Sequence, residues 1–220
     1  MGILDLLFPV SCLNCGLSAQ AGKSGKYFCE ECLSKVQVLN RFDPLSKTFS
    51  IFRYEGIIRK GIIKIKYNFA YDIAKELAEI TAKNMKVDLK NAVLIPIPLH
   101  KKRQNWRGFN QSEILGKLIA EKLNWRFEKD LLIRPFGGQN QVGLAKSDRV
   151  RNMRGKYAAN NEALRVILEG QSVIPTGVEE FLPVFVVFDD VATTGSTIKE
   201  AIKVLEKSGA QKVLGLTVAR

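Results

Sequence analysis

The sequence has a single histidine, four cysteines and no apolar run close to the length of a membrane span. A helix that crosses a bilayer needs ~20 consecutive apolar residues, so membrane insertion is not expected. Because His100 has no second histidine to pair with, it is interpreted as a hydrogen-bonding loop residue rather than a catalytic base. The N-terminus lacks the basic segment and cleavage pattern of a secretory signal, and the cytoplasm is the expected location.

Acidic residues are also scarce, with 22 Asp and Glu against 34 Lys and Arg, for a net charge of +12 over 220 residues. Residues 99–154 contain 13 of the basic and 5 of the acidic residues, so two thirds of the excess charge lies there. A cluster of cations suits phosphate groups, either on a small ligand or along a nucleic-acid backbone. The 46% hydrophobic content is enough for one α/β core and a small appendage.

The four cysteines form two Cys-x-x-Cys pairs, Cys12 with Cys15 and Cys29 with Cys32, and thirteen residues separate the pairs. Four thiolates at this spacing suit one tetrahedral Zn²⁺ with bonds of ~2.3 Å. Two disulfides are the alternative, which the short spacing and a reducing cytosol disfavour. We predict a structural, non-catalytic zinc site in a segment 1–38, followed by a main domain at 39–220.

Residues 184–197 predict a strand, a turn and a helix. The apolar run at 184–188 does not alternate with polar residues, which is typical of a strand buried on both faces of a parallel sheet. Asp189 and Asp190 follow this run, at the carboxyl end of the strand, where ligands of open α/β sheets bind. We expect these carboxylates to accept hydrogen bonds from a vicinal diol, or to reach Mg²⁺ through it.

The turn after the acid pair is rich in hydroxyl groups and opens a helix. Backbone N–H groups and the helix dipole favour a phosphate dianion at such a point. An acid pair beside an anion site predicts a ribose 5-phosphate ligand. The alternative is that the acids simply end a strand and the turn caps a helix. The predicted phosphate-binding residues are Thr193, Thr194, Gly195, Ser196 and Thr197.

A second strand–loop–helix unit is predicted at 93–123. Its strand covers 93–97, a basic loop follows, and a helix covers 108–123. The loop suits a group of about three negative charges, because it contains several cations. These cations are Lys101, Lys102, Arg103 and Arg107.

The remaining elements are predicted from hydrophobic periodicity. We expect extended chain at 49–54, a helix at 71–85, and strands at 127–134 and 212–218. Residues 57–67 mix apolar and basic side chains, and their secondary structure is ambiguous. Their lysines, Lys60, Lys64 and Lys66, point either toward the anion site or into solvent, and solvent is favoured.

Residues 184–197, VFVVFDDVATTGST, resemble the motif for 5-phosphoribosyl 1-pyrophosphate (PRPP) of type I phosphoribosyltransferases: a hydrophobic strand, Asp-Asp, a spacer and Thr-Thr-Gly-x-Thr. With the four-cysteine segment, IPIPLHKKR, RGFNQSE and RVRNMRG, the whole chain resembles the ComF family, which includes GntX-like proteins. The resemblance implies an α/β fold with an open, mostly parallel, Rossmann-like sheet and a small N-terminal zinc knuckle.

The resemblance also implies roles for particular residues. Asp189 and Asp190 would hold the ribose and stabilise positive charge, and the basic loop would bind the pyrophosphate of Mg²⁺-PRPP. The polar, glycine-bearing segment 135–157 would be a mobile flap, although a plain surface loop is the alternative. The flap residues singled out are Gln141, Lys146 and Arg149.

Two functions remain open at this point. The first is a phosphoribosyltransferase-like enzyme that uses PRPP in a process of DNA uptake or competence. The second is a non-catalytic module that binds single-stranded DNA or senses PRPP, with stacking by Trp106, Phe109 and Trp125, although these aromatics are expected in the core. The implied partners are PRPP or ribose 5-phosphate, single-stranded DNA, and uptake machinery such as a ComF-operon helicase.

Residues 161–184 depart from the family pattern as an insertion of unassigned role.

Overall fold

The computed structural model describes residues 11–18, 26–68, 70–135, 156–169 and 182–220. The strands are β1 (Val38–Asp43), β2 (Thr48–Phe52), β3 (Ala92–Pro96), β4 (Arg126–Phe127), β5 (Leu132–Ile133), β6 (Ala158–Ala159), β7 (Val184–Val191) and β8 (Lys212–Ala219). The helices are α1 (Glu30–Ser34), α2 (Gly56–Asn68), α3 (Tyr71–Asn84), α4 (Lys101–Arg107), α5 (Gln111–Leu123), α6 (Asn161–Glu169) and α7 (Ser196–Lys207).

Six strands form the central sheet in the order β1-β2-β8-β7-β3-β4. Strand β1 is antiparallel to β2, whereas the other neighbouring pairs are parallel. Strands β5 and β6 form a separate antiparallel pair. The predicted α/β fold with an open, mostly parallel sheet is therefore confirmed.

Strand β7 lies near the middle of the sheet and is buried on both faces. Val186 and Phe188 belong to one core cluster, with side chains of α2, α3 and α5. Phe185 and Val187 belong to a second cluster, with side chains of α6 and α7. Because successive side chains of a strand point to opposite faces, an uninterrupted apolar run is what a sheet covered by helices on both sides requires.

Strand β7 continues through the acid pair to Val191, three residues beyond the predicted end. Asp189 is in register with Thr217 of β8, and Val191 with Ala219, so the backbone ladder holds the carboxylates in place. The acid pair is thus mounted on the last residues of a central strand rather than on the loop that follows.

The ambiguous segment 57–67 lies within helix α2. Its buried residues, Ile57, Ile58, Ile62 and Ile65, recur at helical spacing and pack into the first core cluster. The lysines between them obscured this periodicity. Helix α3 ends one residue before the predicted limit of 85.

The predicted basic loop is wrong, because residues 101–107 form helix α4. The side chain of His100 caps this helix by accepting a hydrogen bond from the backbone N–H of Lys102 at 3.2 Å. Gly108 ends it in the left-handed conformation, with φ of 77°. The following helix consequently begins at Gln111 instead of 108.

The strand predicted at 127–134 is also wrong, since two short strands replace it. Strand β4 pairs with β3 in the central sheet, and β5 pairs with β6 outside it. The polar residues 128–130 form a turn between them, which lets the chain leave the sheet. In the part of the chain described, no helix combines the length and the apolar character needed to cross a membrane.

Candidate functional site

The two acidic residues at the end of β7 have different surroundings. Asp189 is half-buried, and its Oδ1 accepts hydrogen bonds from Ser112 Oγ at 2.8 Å and from the backbone N–H of Asp190 at 2.9 Å. Asp190 is only 3% exposed. Its Oδ1 accepts from Gln111 Nε2 at 3.2 Å, and its Oδ2 lies 2.5 Å from the ammonium of Lys66.

The burial and the neighbouring carboxylate of Asp189 change its pKa. Burial, and then the neighbouring Asp190 carboxylate, raise the pKa of Asp189 to about 7, against an ordinary value of 3.8. The hydrogen bond from Ser112 acts in the opposite direction. At neutral pH the pair therefore carries less than two negative charges and includes a carboxyl group able to exchange a proton.

A chain of polar contacts leads from the acid pair to the basic helix α4. Gln111 accepts a hydrogen bond from Arg107 Nη1 at 2.8 Å while its amide group donates to Asp190. The guanidinium carbon of Arg107 lies 5.4 Å from the ring centre of Tyr67, within cation–π range. The Tyr67 ring packs edge-to-face against Trp106, with 5.9 Å between ring centres.

Asn110 fixes where helix α5 begins. Its Oδ1 accepts from the backbone N–H of Ser112 at 3.1 Å, and its Nδ2 donates to the carbonyl of Ile97 at 3.0 Å. The first contact is an N-cap, and the second ties the helix to the chain just beyond β3. This junction places Gln111 and Ser112 against the carboxylates of β7.

An open cavity of about 660 Å³ shares Lys66, the partner of Asp190, with the acid pair. Of the four residues predicted to bind pyrophosphate, Arg103 and Arg107 line it, whereas Lys101 and Lys102 are exposed and do not. The cavity therefore combines cations with aromatic faces. Its lining residues are Tyr54, Ile63, Lys66, Tyr67, Arg103, Trp106 and Arg107.

The predicted phosphate turn occupies the start of helix α7. Gly195 is the N-cap and has a φ of 70°, and Thr194 Oγ1 donates to Ser196 Oγ at 2.9 Å. A Cβ atom at Gly195 would lie 2.9 Å from Cβ of Ser46. Glycine is required here on two counts, the left-handed backbone and the close approach of the β1–β2 turn. Thr193, Thr194 and Ser196 are exposed, and Thr197 is half-buried.

The four cysteines come together as one cluster of free thiols. Their sulfur atoms all lie within 4.8 Å of one another, and Cys15 Sγ is 3.7 Å from Cys29 Sγ. A tetrahedral site with bonds of ~2.3 Å has sulfur–sulfur edges of about 3.8 Å, so the arrangement fits a metal ion such as Zn²⁺.

Hydrogen bonds donated to the cysteine sulfurs stabilise negative charge on them, as metal binding requires. The backbone N–H and the side-chain amide of Asn14 donate to the sulfurs of Cys12 and Cys32, each at 3.5 Å. Burial raises the pKa of Cys12, but backbone N–H groups, Cys15's first, outweigh it and lower the pKa to about 6. At Cys29 the backbone N–H of Cys32 lowers the pKa, but burial and the three neighbouring thiols outweigh it and raise the pKa to about 12, so the charge is unevenly shared among the four sulfurs. The thiolate is the metal-binding form of cysteine.

The cysteine knuckle packs onto α2 and α3. The carboxylate of Glu76 accepts hydrogen bonds from the backbone N–H groups of Tyr27 and Phe28, at 3.0 and 3.1 Å. The Phe28 ring is fully buried and lies directly over Gly61, and Cys32 joins the same core cluster. The knuckle thus shares its hydrophobic core with the sheet, and the division at residue 38 stays a prediction.

Three contacts at the acid pair, those of Lys66, Gln111 and Ser112, were missed by reasoning from the sequence. Gln111 and Ser112 belong to the motif RGFNQSE, which marked this stretch as characteristic of the resembled family but did not predict contact with the carboxylates. The expectation that Lys66 faces solvent is wrong, because it pairs with Asp190.

The aromatic residues also differ from expectation in part. Trp106 is 70% exposed rather than in the core, whereas Trp125 packs against the first core cluster. The proposed flap residues Gln141, Lys146 and Arg149 lie outside the described residues, as does 170–181 of the insertion.

No family model matches the chain. Curated relatives cover most of it. DNA utilization protein YhgH of Escherichia coli is 23% identical over 214 residues, which are 90% of this chain and 86% of the relative. Competence protein F of Haemophilus influenzae is 26% identical over 225 residues, 97% of this chain and 85% of the relative. Competence protein ComFC of Bacillus subtilis is 29% identical over 179 residues, 80% of this chain and 65% of the relative.

Among solved structures, the glutamine PRPP amidotransferase of Bacillus subtilis, complexed with ADP and GMP, is similar over 71% of this chain and 30% of its own, with a TM-score of 0.42 and 17% identity. The relatives named for competence and DNA utilization span most of the sequence, and the resemblance to the ComF family drawn from its motifs is confirmed.

Proposed function

We propose that the chain binds PRPP or a ribose 5-phosphate at the carboxyl end of β7, as a phosphoribosyltransferase-like protein that serves the use of external DNA. The observation that carries the proposal is the adjacency of β3 and β7. Pro96 is in register with Phe188, and the N–H of Ile97 donates to the Phe188 carbonyl at 2.8 Å. The acid pair and the basic helix α4 therefore leave neighbouring parallel strands at the same edge of the sheet.

Each part of the site would recognise one part of the ligand. Asp189, which is half-buried rather than enclosed, would accept a hydrogen bond from a ribose hydroxyl. The backbone N–H groups at the start of α7 would bind the 5-phosphate, with Thr194 and its neighbours adding hydroxyl donors. Arg103 and Arg107 would bind the 1-pyrophosphate, since guanidinium groups match phosphate oxygens in geometry and charge.

In a transfer reaction the bond from ribose C1 to pyrophosphate oxygen would break, and a nitrogen nucleophile would form a new bond to C1. The pyrophosphate would leave with the bonding electrons, toward the arginines of α4, while the acid pair stabilises the positive charge that develops on the ribose. When bound with PRPP, Mg²⁺ offsets the charge of the pyrophosphate group. The four-cysteine cluster would hold a structural Zn²⁺ away from this chemistry.

The link to DNA rests on the relatives, which are named for competence and DNA utilization. A non-catalytic module that binds single-stranded DNA is the second candidate. It is favoured by the exposed rings of Tyr67 and Trp106 beside Arg103 and Arg107 in one cavity. Stacking on such rings contributes about 1–3 kcal/mol per base, and cations follow the backbone.

The test measures calorimetric binding of PRPP and ribose 5-phosphate to four proteins: wild type, Thr194→Val, Arg103→Ala and Lys117→Ala. Loss of a hydrogen bond to a charged group should make Thr194→Val bind both ligands roughly 10- to 100-fold more weakly. Arg103→Ala should weaken PRPP by about tenfold and leave ribose 5-phosphate unchanged, because only PRPP carries the pyrophosphate. Lys117 is exposed on α5, and its variant is the matched loss of one positive charge.

A single-stranded oligonucleotide, titrated at low and high salt, separates the two candidates. If Arg103→Ala binds PRPP normally and loses the oligonucleotide, helix α4 serves nucleic acid rather than pyrophosphate. If wild type binds neither PRPP nor ribose 5-phosphate, the proposed ligand is wrong.

A further inference from the structure

Asp190 is enclosed by partners from two distant parts of the chain. Its side chain is 4% exposed, Gln111 occupies Oδ1 at 3.2 Å, and the Lys66 ammonium lies 2.5 Å from Oδ2. A buried carboxylate without a compensating charge is strongly destabilising, and the Lys66 ammonium is the compensating charge beside Asp190.

The position of Lys66 is set by helix α2. Ile62 and Ile65, on the same helix, are buried in the core, which holds the backbone of Lys66 against the sheet edge. The Lys66 side chain is 20% exposed and lines the 660 Å³ cavity. Lys66 therefore both pairs with Asp190 and lines the cavity, while Lys64, two residues earlier, is exposed.

A divalent cation does not fit this arrangement at Asp190. Mg²⁺ requires nearly octahedral oxygen ligands at ~2.0–2.1 Å. One oxygen of Asp190 already accepts from an amide group and the other already pairs with an ammonium. At Asp190 the compensating positive charge is therefore supplied by a side chain of the protein.

We propose that Lys66 is the built-in counter-ion of the acid pair and takes the place of Mg²⁺ at Asp190. Lys66 is then a positioning residue that holds Asp190 in place. An ammonium has three N–H donors, and those that do not bond to Asp190 are available to an anionic ligand in the cavity. For ligand binding the inference rests on the proposed function, and it adds that ribose 5-phosphate needs no Mg²⁺. Any Mg²⁺ that accompanies PRPP would be held by the pyrophosphate.

The first test needs no organic ligand. Mn²⁺, a paramagnetic probe for Mg²⁺ sites, is titrated into the full-length protein and the free ion is measured by electron paramagnetic resonance. Lys66→Met keeps the apolar stem and removes the charge, so this variant should gain a Mn²⁺ site that wild type lacks. Lys64→Met, the matched control on the same helix, and Lys66→Arg, which keeps a cation, should gain none.

The double variant Lys66→Met with Asp190→Asn locates the gained site, which should disappear when the carboxylate is removed. Two results overturn the proposal. In the first, wild type binds Mn²⁺ as tightly as Lys66→Met does, and Asp190→Asn abolishes that binding. In the second, Lys66→Met gains no Mn²⁺ site although circular dichroism shows that it is folded.

The second test compares ribose 5-phosphate binding with and without Mg²⁺. Wild type should change by less than about threefold, whereas Lys66→Met should bind about tenfold more weakly without the metal and recover with it, because the carboxylate charge is then offset again. A strong Mg²⁺ requirement in wild type contradicts the inference. If no protein binds ribose 5-phosphate under any condition, the proposed function fails, while the Mn²⁺ titration still decides the role of Lys66.

Discussion

Two identical side chains, adjacent in sequence, have become chemically different through their contacts. Asp190 is buried under Lys66 and Gln111, while Asp189 is half-buried, bonded to Ser112, and has a raised pKa. Neighbouring carboxylates cannot both ionise freely in a site of low polarity, so one of them takes the proton at higher pH. We assign that proton to Asp189, because the ammonium stabilises the charge on Asp190.

The raised pKa of Asp189 predicts how stability depends on pH. Between the ordinary value of 3.8 and about 7, Asp189 binds more protons in the folded state than in the unfolded state, so its contribution to the free energy of unfolding should fall as pH rises through that window. Asp189→Asn removes the titrating group and should flatten this part of the profile. Denaturant unfolding of both proteins from pH 4 to 8 measures the difference.

The difference in the free energy of unfolding between wild type and Asp189→Asn should change with pH in one direction. Relative to Asp189→Asn, wild type should be favoured at the acid end and lose that advantage toward neutral pH. A wild-type profile that runs parallel to that of the variant, or that gains stability relative to it as pH rises, contradicts a raised pKa at this residue.

At the scale of elements, the junction between β3, α4 and α5 organises the site. Helix α4 is started by His100 and ended by Gly108, and Asn110 then starts α5 while donating to Ile97. Without this sequence of caps, seven residues would not suffice for a helix, since short helices are unstable in water. Helix α4, none of whose residues is buried, is therefore stabilised by its caps rather than by buried area.

Asn110→Ala removes both contacts of this residue. We expect the free energy of unfolding to fall by about 1–3 kcal/mol, because a cap and a buried hydrogen bond are lost together. Asn110→Ser retains an uncharged cap acceptor and loses the Nδ2 donor to Ile97, so its loss should be smaller. Chemical denaturation of the three proteins checks the order, and an Ala variant as stable as wild type would show that the caps do not hold the junction.

At the scale of the whole molecule, the cysteine knuckle and the sheet are one packed body. Glu76 of α3 holds the backbone of the knuckle, and Phe28 fills the space over Gly61 of α2. The same helix α2 presents Lys66 to the acid pair five residues further on. Metal binding in the knuckle is thus expected to contribute to the stability of the entire fold.

We predict one zinc ion per chain, measured by elemental analysis of protein purified without added metal. Removal by a strong chelator should lower the melting temperature of the main unfolding transition, because the knuckle shares the core, and Cys29→Ser should do the same. Two disulfides and no metal would contradict the zinc assignment. A separate low-temperature transition, with the main one unchanged, would indicate that the knuckle unfolds by itself.

Much of this architecture is determined by sequence patterns that act locally. The apolar run of β7, the helical spacing in α3 and α7, and the two Cys-x-x-Cys pairs each depend on residues close together in the chain. Their structures follow from backbone hydrogen bonding and side-chain periodicity, which a short stretch already specifies. The acid pair and the glycine of the phosphate turn are identifiable for the same reason.

Tertiary structure alone decided which side chains meet those acids. Gln111 lies 79 residues from Asp190 and Ser112 lies 77 from Asp189, and Lys66 comes from a helix whose periodicity its own lysines obscured. Their encounter depends on the strand order, in which β8 enters between β2 and β7 and β3 pairs on the other side. Strand order is set by how whole layers bury their apolar faces, a free energy summed over the entire core, and no single segment of the sequence contains it.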